Sequence, residues 1–138
     1  MEEAITFASD EERPIDSAQV RRLYETVDWG HGRSEHGIRA AIEASVALGA
    51  WDGDRLVGFV RALSDGAYRA YVEDVMVDPD YRGRRIGERM VAELLRALQD
   101  VEIVSLFCLP QRVAFYERNG FEAHKSQVVL HRGAAGVP

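Results

Sequence analysis

The chain has 138 residues, 46% hydrophobic and 29% charged, with 17 Lys and Arg against 23 Asp and Glu and a formal charge of −6. That length fits one domain with a substantial core and not two, and the acidic balance argues against nucleic acid as a partner, because capture of phosphates needs a basic surface. No apolar run approaches the roughly 18 residues of a membrane span, and the N-terminal stretch lacks the basic region and apolar core of a signal peptide, so no membrane and a cytoplasmic location are expected. Cys108 is the only cysteine, which excludes an internal disulfide and any Cys-based zinc cluster.

In chain order, Ile5 to Ala8 reads as a short first strand, followed by an acidic turn containing Pro14. Asp16-Ser17 can cap a helix whose apolar positions are Val20, Leu23, Tyr24 and Val27, and Trp29-Gly30-His31-Gly32 breaks it. Ser34 can cap a second helix with Ile38, Ala41 and Ile42 along one side. From Ala47 the period becomes that of strands. Asp52-Gly53-Asp54 predicts a hairpin, Ser64-Asp65-Gly66 a second turn, and AYRAYVEDVMV a third long strand that stops at Asp78-Pro79. Beyond Gly87, the spacing of Met90, Val91, Leu94, Leu95 and Leu98 predicts an amphipathic helix packed on a sheet. Val101 to Leu109 predicts a buried strand joined by a parallel crossover. Pro110 to Arg118 reads as a short helix stopped by Asn119-Gly120, and Phe121 to Arg132 as a last strand or hairpin. One domain over residues 1–132 is expected, with 133–138 a frayed tail.

The stretch that organises this order runs from Val72 to Leu98. A strand that delivers a Gly-containing basic turn onto a helix N-terminus builds an anion site, because unpaired backbone N–H groups and the helix dipole converge there. The turn Arg82-Gly83-Arg84-Arg85-Ile86-Gly87 is neither a Walker A loop nor a G-x-G-x-x-G dinucleotide loop. Preceded by Val77-Asp78-Pro79-Asp80-Tyr81, it resembles the acyl-CoA signature of the GNAT acetyltransferase superfamily, Arg/Gln-x-x-Gly-x-Gly/Ala, with Arg85 at the inner Gly position. Backbone-mediated binding accommodates that Arg if its φ/ψ is ordinary, and its side chain can approach a phosphate. Phe115-Tyr116-Glu117-Arg118-Asn119-Gly120-Phe121 matches a second segment of the superfamily, downstream of the first as the family order requires. Leu109 stands where family members often carry an Asn seven residues before the Tyr. More closely, LVGFVRALSDGAYRAYVEDVMVDPDYRGRRIG and VSLFCLPQRVAFYERNGF resemble the branch of plant and cyanobacterial serotonin N-acetyltransferases and their bacterial relatives.

The resemblance implies an α/β (α+β) acyl-CoA N-acyltransferase fold, a mixed and mainly antiparallel sheet of six or seven strands flanked by about four helices. It implies acetyl-CoA as cofactor, held by the backbone at Val75, Met76 and Val77, by Arg82, Gly83, Arg84, Arg85, Ile86 and Gly87, and by Tyr116. The backbone near Val75 to Val77, where family members carry a bulge, is expected to receive the thioester oxygen. Acetyl transfer also needs a neutral amine, and an alkylamine of pKa near 10 is only about one part in a thousand neutral at pH 7. Glu73 and Asp74 are the candidate bases, on opposite faces if the strand alternates regularly. Asp74 matches an Asp of the serotonin acetyltransferase branch and Glu73 a Glu of some polyamine acetyltransferases; Glu73 is favoured as base and Asp74 for a structural or acceptor-orienting role. Tyr116 is the candidate general acid, since a phenol can protonate the leaving thiolate.

Trp29, His31, Arg61, Asp65 and Tyr71 are candidate acceptor contacts, aromatic and charged in the manner that suits an arylalkylamine or other cationic amine. Nothing near Cys108 marks it as a nucleophile, and the spacing of His31 and His36 defines no metal site. The expected function is N-acetylation of a small-molecule primary amine, as a monomer or homodimer. The alternatives are an acyl-CoA-binding regulatory module and a protein Lys or N-terminal acetyltransferase.

Overall fold

The computed structural model describes residues 4–30 and 32–134. They form two compact units, Met1–Phe107 and Cys108–Pro138. In the first, the strands β1 (Thr6–Ser9), β2 (Val46–Asp52), β3 (Arg55–Ser64), β4 (Arg69–Val77) and β5 (Ile103–Ser105) form one sheet in the order β1-β2-β3-β4-β5. The first three pairings are antiparallel and β4–β5 is parallel. Helices α1 (Ser17–Tyr24), α2 (Glu35–Glu43) and α3 (Ile86–Ala97) complete the unit.

Local chemistry sets most of these boundaries. The Asp16 carboxylate accepts the Ala18 N–H at the start of α1, and the Ser34 hydroxyl accepts the Gly37 N–H at the start of α2, each satisfying a donor that a helix N-terminus leaves without a partner. Gly53, at φ 58, closes the β2–β3 hairpin. Val20, Leu23 and Tyr24 of α1 and Ile38 and Ile42 of α2 bury one core cluster against Phe59, Trp51 and Met76 of the sheet. Helix α3 covers the other face. Phe59 belongs to the α1–α2 cluster, whereas a Cβ at its neighbour Gly58 would lie 2.8 Å from Sδ of Met90 on α3, and adjacent strand residues point to opposite faces.

The carboxyl end of the sheet differs from the sequence expectation. The sheet has five strands among the described residues where six or seven were expected. Strand β5 is three residues long rather than a buried run through Leu109; among the described residues it pairs with β4 alone, and Ile103 and Phe107 are exposed. In the second unit, Pro110–Arg112 forms a 3-10 turn that leads into helix α4 (Val113–Arg118). Phe121 to Arg132 forms no strand, and Val128 and Leu130 are 86% and 89% exposed. Its apolar run of three residues gains nothing from β conformation unless another strand takes up its backbone groups.

Candidate active site

The distortion expected in the fourth strand is present, one step earlier than the backbone amides first assigned to it. Arg61 pairs with Glu73 and Phe59 with Met76, so the β3 residue Val60 faces two β4 residues, Asp74 and Val75. Asp74 adopts φ 61, in the left-handed region. This is a β-bulge, which leaves one backbone amide of the pair outside the ladder.

The bulge overturns the expectation that Glu73 and Asp74 lie on opposite faces. Phe59 and Arg61 share a face of β3, so their partners Met76 and Glu73 share it too, although they are three residues apart. Asp74 joins that face, because its Oδ2 accepts from Arg61 Nε at 2.6 Å and from Tyr24 Oη at 2.5 Å. Arg33 Nη1 donates to Tyr24 Oη at 2.8 Å and approaches both Asp74 oxygens at 3.4 Å. The Asp74 side chain is wholly buried, against 11% exposure for Arg61 and 43% for Arg33. Burial, reinforced by the bond to Asp74, pushes the Tyr24 phenol up to about 12. Arg61 is likewise raised: its burial opposes the charge, and the Asp74 carboxylate outweighs that opposition.

Glu73 sits half-buried beside this knot. Burial and then a hydrogen bond to Glu73 push the Tyr71 hydroxyl up to about 12, and the Tyr71 ring packs on Phe107 at 5.1 Å. Trp29, 44% exposed, meets the Tyr24 ring edge-to-face at 6.1 Å. Among the acceptor candidates, then, Arg61 bonds Asp74, Tyr71 bonds Glu73, Trp29 is linked to Asp74 through Tyr24, and His31 lies outside the described residues. Asp65 is committed elsewhere: its Oδ1 accepts the Ala67, Tyr68 and Arg69 N–H groups at 2.8, 2.8 and 3.1 Å, and these bonds hold its carboxyl below the usual range. Sequence reasoning did not pick out Tyr24 or Arg33. Tyr24 was read as part of the apolar stripe of α1, and no local signal pairs either residue with Asp74, 50 and 41 positions away.

Downstream of the bulge the strand ends on a second buried carboxylate. Asp78 Oδ2 accepts from Arg22 Nη1 at 2.9 Å and Arg55 Nη2 at 3.0 Å, and its Oδ1 accepts the Asp80 N–H at 3.0 Å. Burial opposes its charge, yet the Asp80 amide and the two guanidiniums hold its pKa below the ordinary carboxylate value. The 3-10 turn Pro79–Tyr81 follows, anchored by a hydrogen bond from the Tyr81 hydroxyl to Asp52.

Residues 82–85 are exposed and Ile86 is buried, so the turn presents its backbone outward while one side chain anchors it. Gly83 lies at φ 81, and Arg85 at φ 60, ψ 22. The condition of ordinary φ/ψ at Arg85 is therefore not met: this position keeps the left-handed conformation that glycine adopts freely, at a strain of about 1 kcal/mol. Arg85 stands at the N-cap of α3 without a side-chain cap bond, leaving the first amides of a 12-residue helix to a ligand or water. Three exposed guanidiniums beside those amides fit the pyrophosphate of coenzyme A. Of Val75, Met76 and Val77, Met76 has its side chain in the core and so can offer a ligand only its backbone.

In the second unit, Tyr116 packs edge-to-face on Phe115 and Phe121 at 5.0 and 5.9 Å. Burial, and secondarily the Cys108 thiol, raise its pKa above the ordinary phenol value, which keeps its proton in place at neutral pH. Cys108 itself is exposed.

A mixed sheet whose bulged fourth strand runs through an Arg-Gly turn onto a helix N-terminus is the architecture of the acyl-CoA N-acyltransferase fold. The family model of the GNAT acetyltransferases matches residues 9–121, and the chain belongs to that family, whose members take the acetyl group from acetyl-CoA. It is 31% identical over 123 residues to an uncharacterized ycf52-like N-acetyltransferase of Prochlorococcus marinus, covering 84% of this chain and 68% of that protein. It is also similar to two plant proteins: the chloroplastic GCN5-related N-acetyltransferase 2 of Arabidopsis thaliana, 46% identical over 71 residues, and the chloroplastic serotonin N-acetyltransferase 2 of Oryza sativa, 36% identical over 98 residues. The matches span 50% and 64% of this chain but only 28% and 48% of those proteins. Among solved structures, a protein assigned to the GNAT family from Xanthomonas campestris superposes with a TM-score of 0.81 at 27% identity, covering 96% of this chain and 95% of that one. Among the described residues no helix is long and apolar enough to cross a membrane.

Proposed function

We propose that this chain acetylates a primary amine of a small molecule, with Glu73 as the base and Tyr116 as the acid. The observation that carries the reading is the state of the two adjacent carboxylates. Asp74 is buried, its oxygens taken up by one phenol and two guanidiniums, whereas Glu73 stands half-buried on the same face beside the bulge. Glu73 is the one of the two that solvent reaches, so it can receive the amine's proton directly or through water. Tyr71, which bonds Glu73 and packs on Phe107, and the exposed Trp29 beside Tyr24 favour an acceptor with a ring or long apolar body, such as an arylalkylamine.

Bound acetyl-CoA supplies an activated acyl carbon and a thiol leaving group. Within the protein, the turn at 82–87 and the α3 amides hold the donor's phosphates, and the amide freed by the bulge receives the carbonyl oxygen. The Glu73 carboxylate takes the proton that the amine gives up, and Tyr116 Oη delivers one to the departing sulfur. One domain over residues 1–132 and a cytoplasmic location belong to the same proposal.

Thiol release from acetyl-CoA, measured against arylalkylamines, polyamines and Lys-containing peptides, tests it. Turnover is expected with a free amine, and Glu73→Gln is expected to lower kcat by about 100-fold or more, with Tyr116→Phe lowering it roughly 10- to 1000-fold. Binding without turnover on any amine would make the chain a regulatory module, and turnover on peptides alone a protein acetyltransferase. If acetyl-CoA gives no thermal stabilisation, the donor assignment fails.

A further inference from the structure

We infer that Asp74 is a positioning residue: held by Tyr24, Arg33 and Arg61, it keeps its own backbone in the left-handed region and so maintains the β4 bulge. The catalytic consequence rests on the acetyl-transfer reading; the conformational claim rests on geometry alone. A non-glycine residue at φ 61 carries about 1 kcal/mol of strain, and although Asp tolerates this region better than most residues, something must select it over a regular strand. The selecting force is visible. Three side chains from three separate elements converge on one wholly buried carboxylate: Tyr24 from α1, Arg33 from the loop between α1 and α2, and Arg61 from β3. Charge-assisted bonds of this kind are about twice as strong as neutral ones.

In a regular β4 with side chains alternating from Glu73, the side chain of residue 74 would face α3, and the three donors would lose their acceptor. Arg61 would then sit almost fully desolvated without a bonded counter-charge, which is strongly unfavourable. The network and the bulge therefore require one another. The donors also join the loop before α2, where the acceptor candidate Trp29 lies, to the strand segment that offers the freed amide.

Three substitutions test the inference. Asp74→Ala, which loses the acceptor oxygens, is expected to lower kcat about 100-fold or more while the Kd for acetyl-CoA moves less than about threefold. Asp74→Asn, which favours the left-handed region and retains an acceptor, is expected to keep roughly a tenth of wild-type kcat or better. It should also retain the acidic limb of the kcat/KM profile. In cofactor-free protein, amide hydrogen exchange at Met76 and Val77 is expected to quicken about tenfold in Asp74→Ala and to stay near wild type in Asp74→Asn. If Asp74→Ala does not fold, Tyr24→Phe gives the same readouts, with kcat about three- to tenfold lower.

Loss of the acidic limb in Asp74→Asn, with kcat as low as in Asp74→Ala, would make Asp74 the base and overturn the inference. A lower Tm with unchanged kcat per folded molecule and unchanged exchange would also overturn it, reducing Asp74 to a stabilising residue. If the wild type does not bind acetyl-CoA, the acetyl-transfer reading fails, while the exchange measurement still decides whether Asp74 holds the bulge.

Discussion

Asp74 and Asp78 stand four residues apart, both buried, both gripped by two arginines, and both tied to α1, through Tyr24 and Arg22 respectively. They differ in their backbones. Asp74 is left-handed at φ 61, whereas Asp78 is extended at φ −51, ψ 130 and donates its own N–H to Val57 O at 2.8 Å. The first network is matched to a backbone that would not otherwise be chosen; the second fixes the starting point of a turn whose conformation needs no help. Similar electrostatics thus serve two ends, one shaping the strand where the acyl group is expected and one locating the loop proposed to hold the donor.

If that division holds, Asp78→Ala is expected to raise the Kd for acetyl-CoA about tenfold and lower Tm by about 5 to 10 °C, because Arg22 and Arg55 lose their shared counter-charge. At saturating donor, kcat should stay within about threefold. A drop in kcat with unchanged donor affinity, measured by calorimetry beside steady-state rates, would erase the distinction between the two carboxylates.

A smaller effect appears on acidification. The Asp78 pKa is held below its unfolded value, so its contribution to stability is complete above roughly pH 4 and is lost as pH falls through the lower folded value. The Tm difference between wild type and Asp78→Asn should be constant from pH 7 to about pH 5 and shrink below about pH 4. A gap that widens in acid would mean that the carboxylate is not the anchor. The smallest effect belongs to the donor turn. Arg85→Gly relieves the left-handed strain but frees the unfolded chain, so Tm should rise by no more than about 1 to 3 °C.

Much of the framework was legible because its signals are local. Asp16 and Ser34 announce helix starts, Gly53 a hairpin, and the spacing of Met90, Val91, Leu94 and Leu98 the face of α3, all of them buried. The bulge was expected only through resemblance, and its effect on side-chain parity was missed. Nothing local in VEDVMV fixes which way Asp74 points, and the donors that fix it lie 13, 41 and 50 residues away. Arg85 was misjudged for a related reason: the turn keeps the conformation required by its backbone whether or not the residue there favours it. The strand expected at Phe121 to Arg132 depends on a partner edge, which no local pattern can supply.

The loop between α1 and α2 contains two glycines that differ in what they permit. Gly32, at φ 84, has open space where a Cβ would stand, whereas at Gly30, φ 77, a Cβ would lie 2.7 Å from Cδ1 of Tyr24. For anyone seeking to retune this protein by mutagenesis, the two positions form a lock and a dial. A side chain at 30 pushes on the ring that holds Asp74 and should disable the enzyme together with any gain in recognition, while at 32 Asn or Asp, which tolerate the left-handed region, can be introduced without disturbing Tyr24.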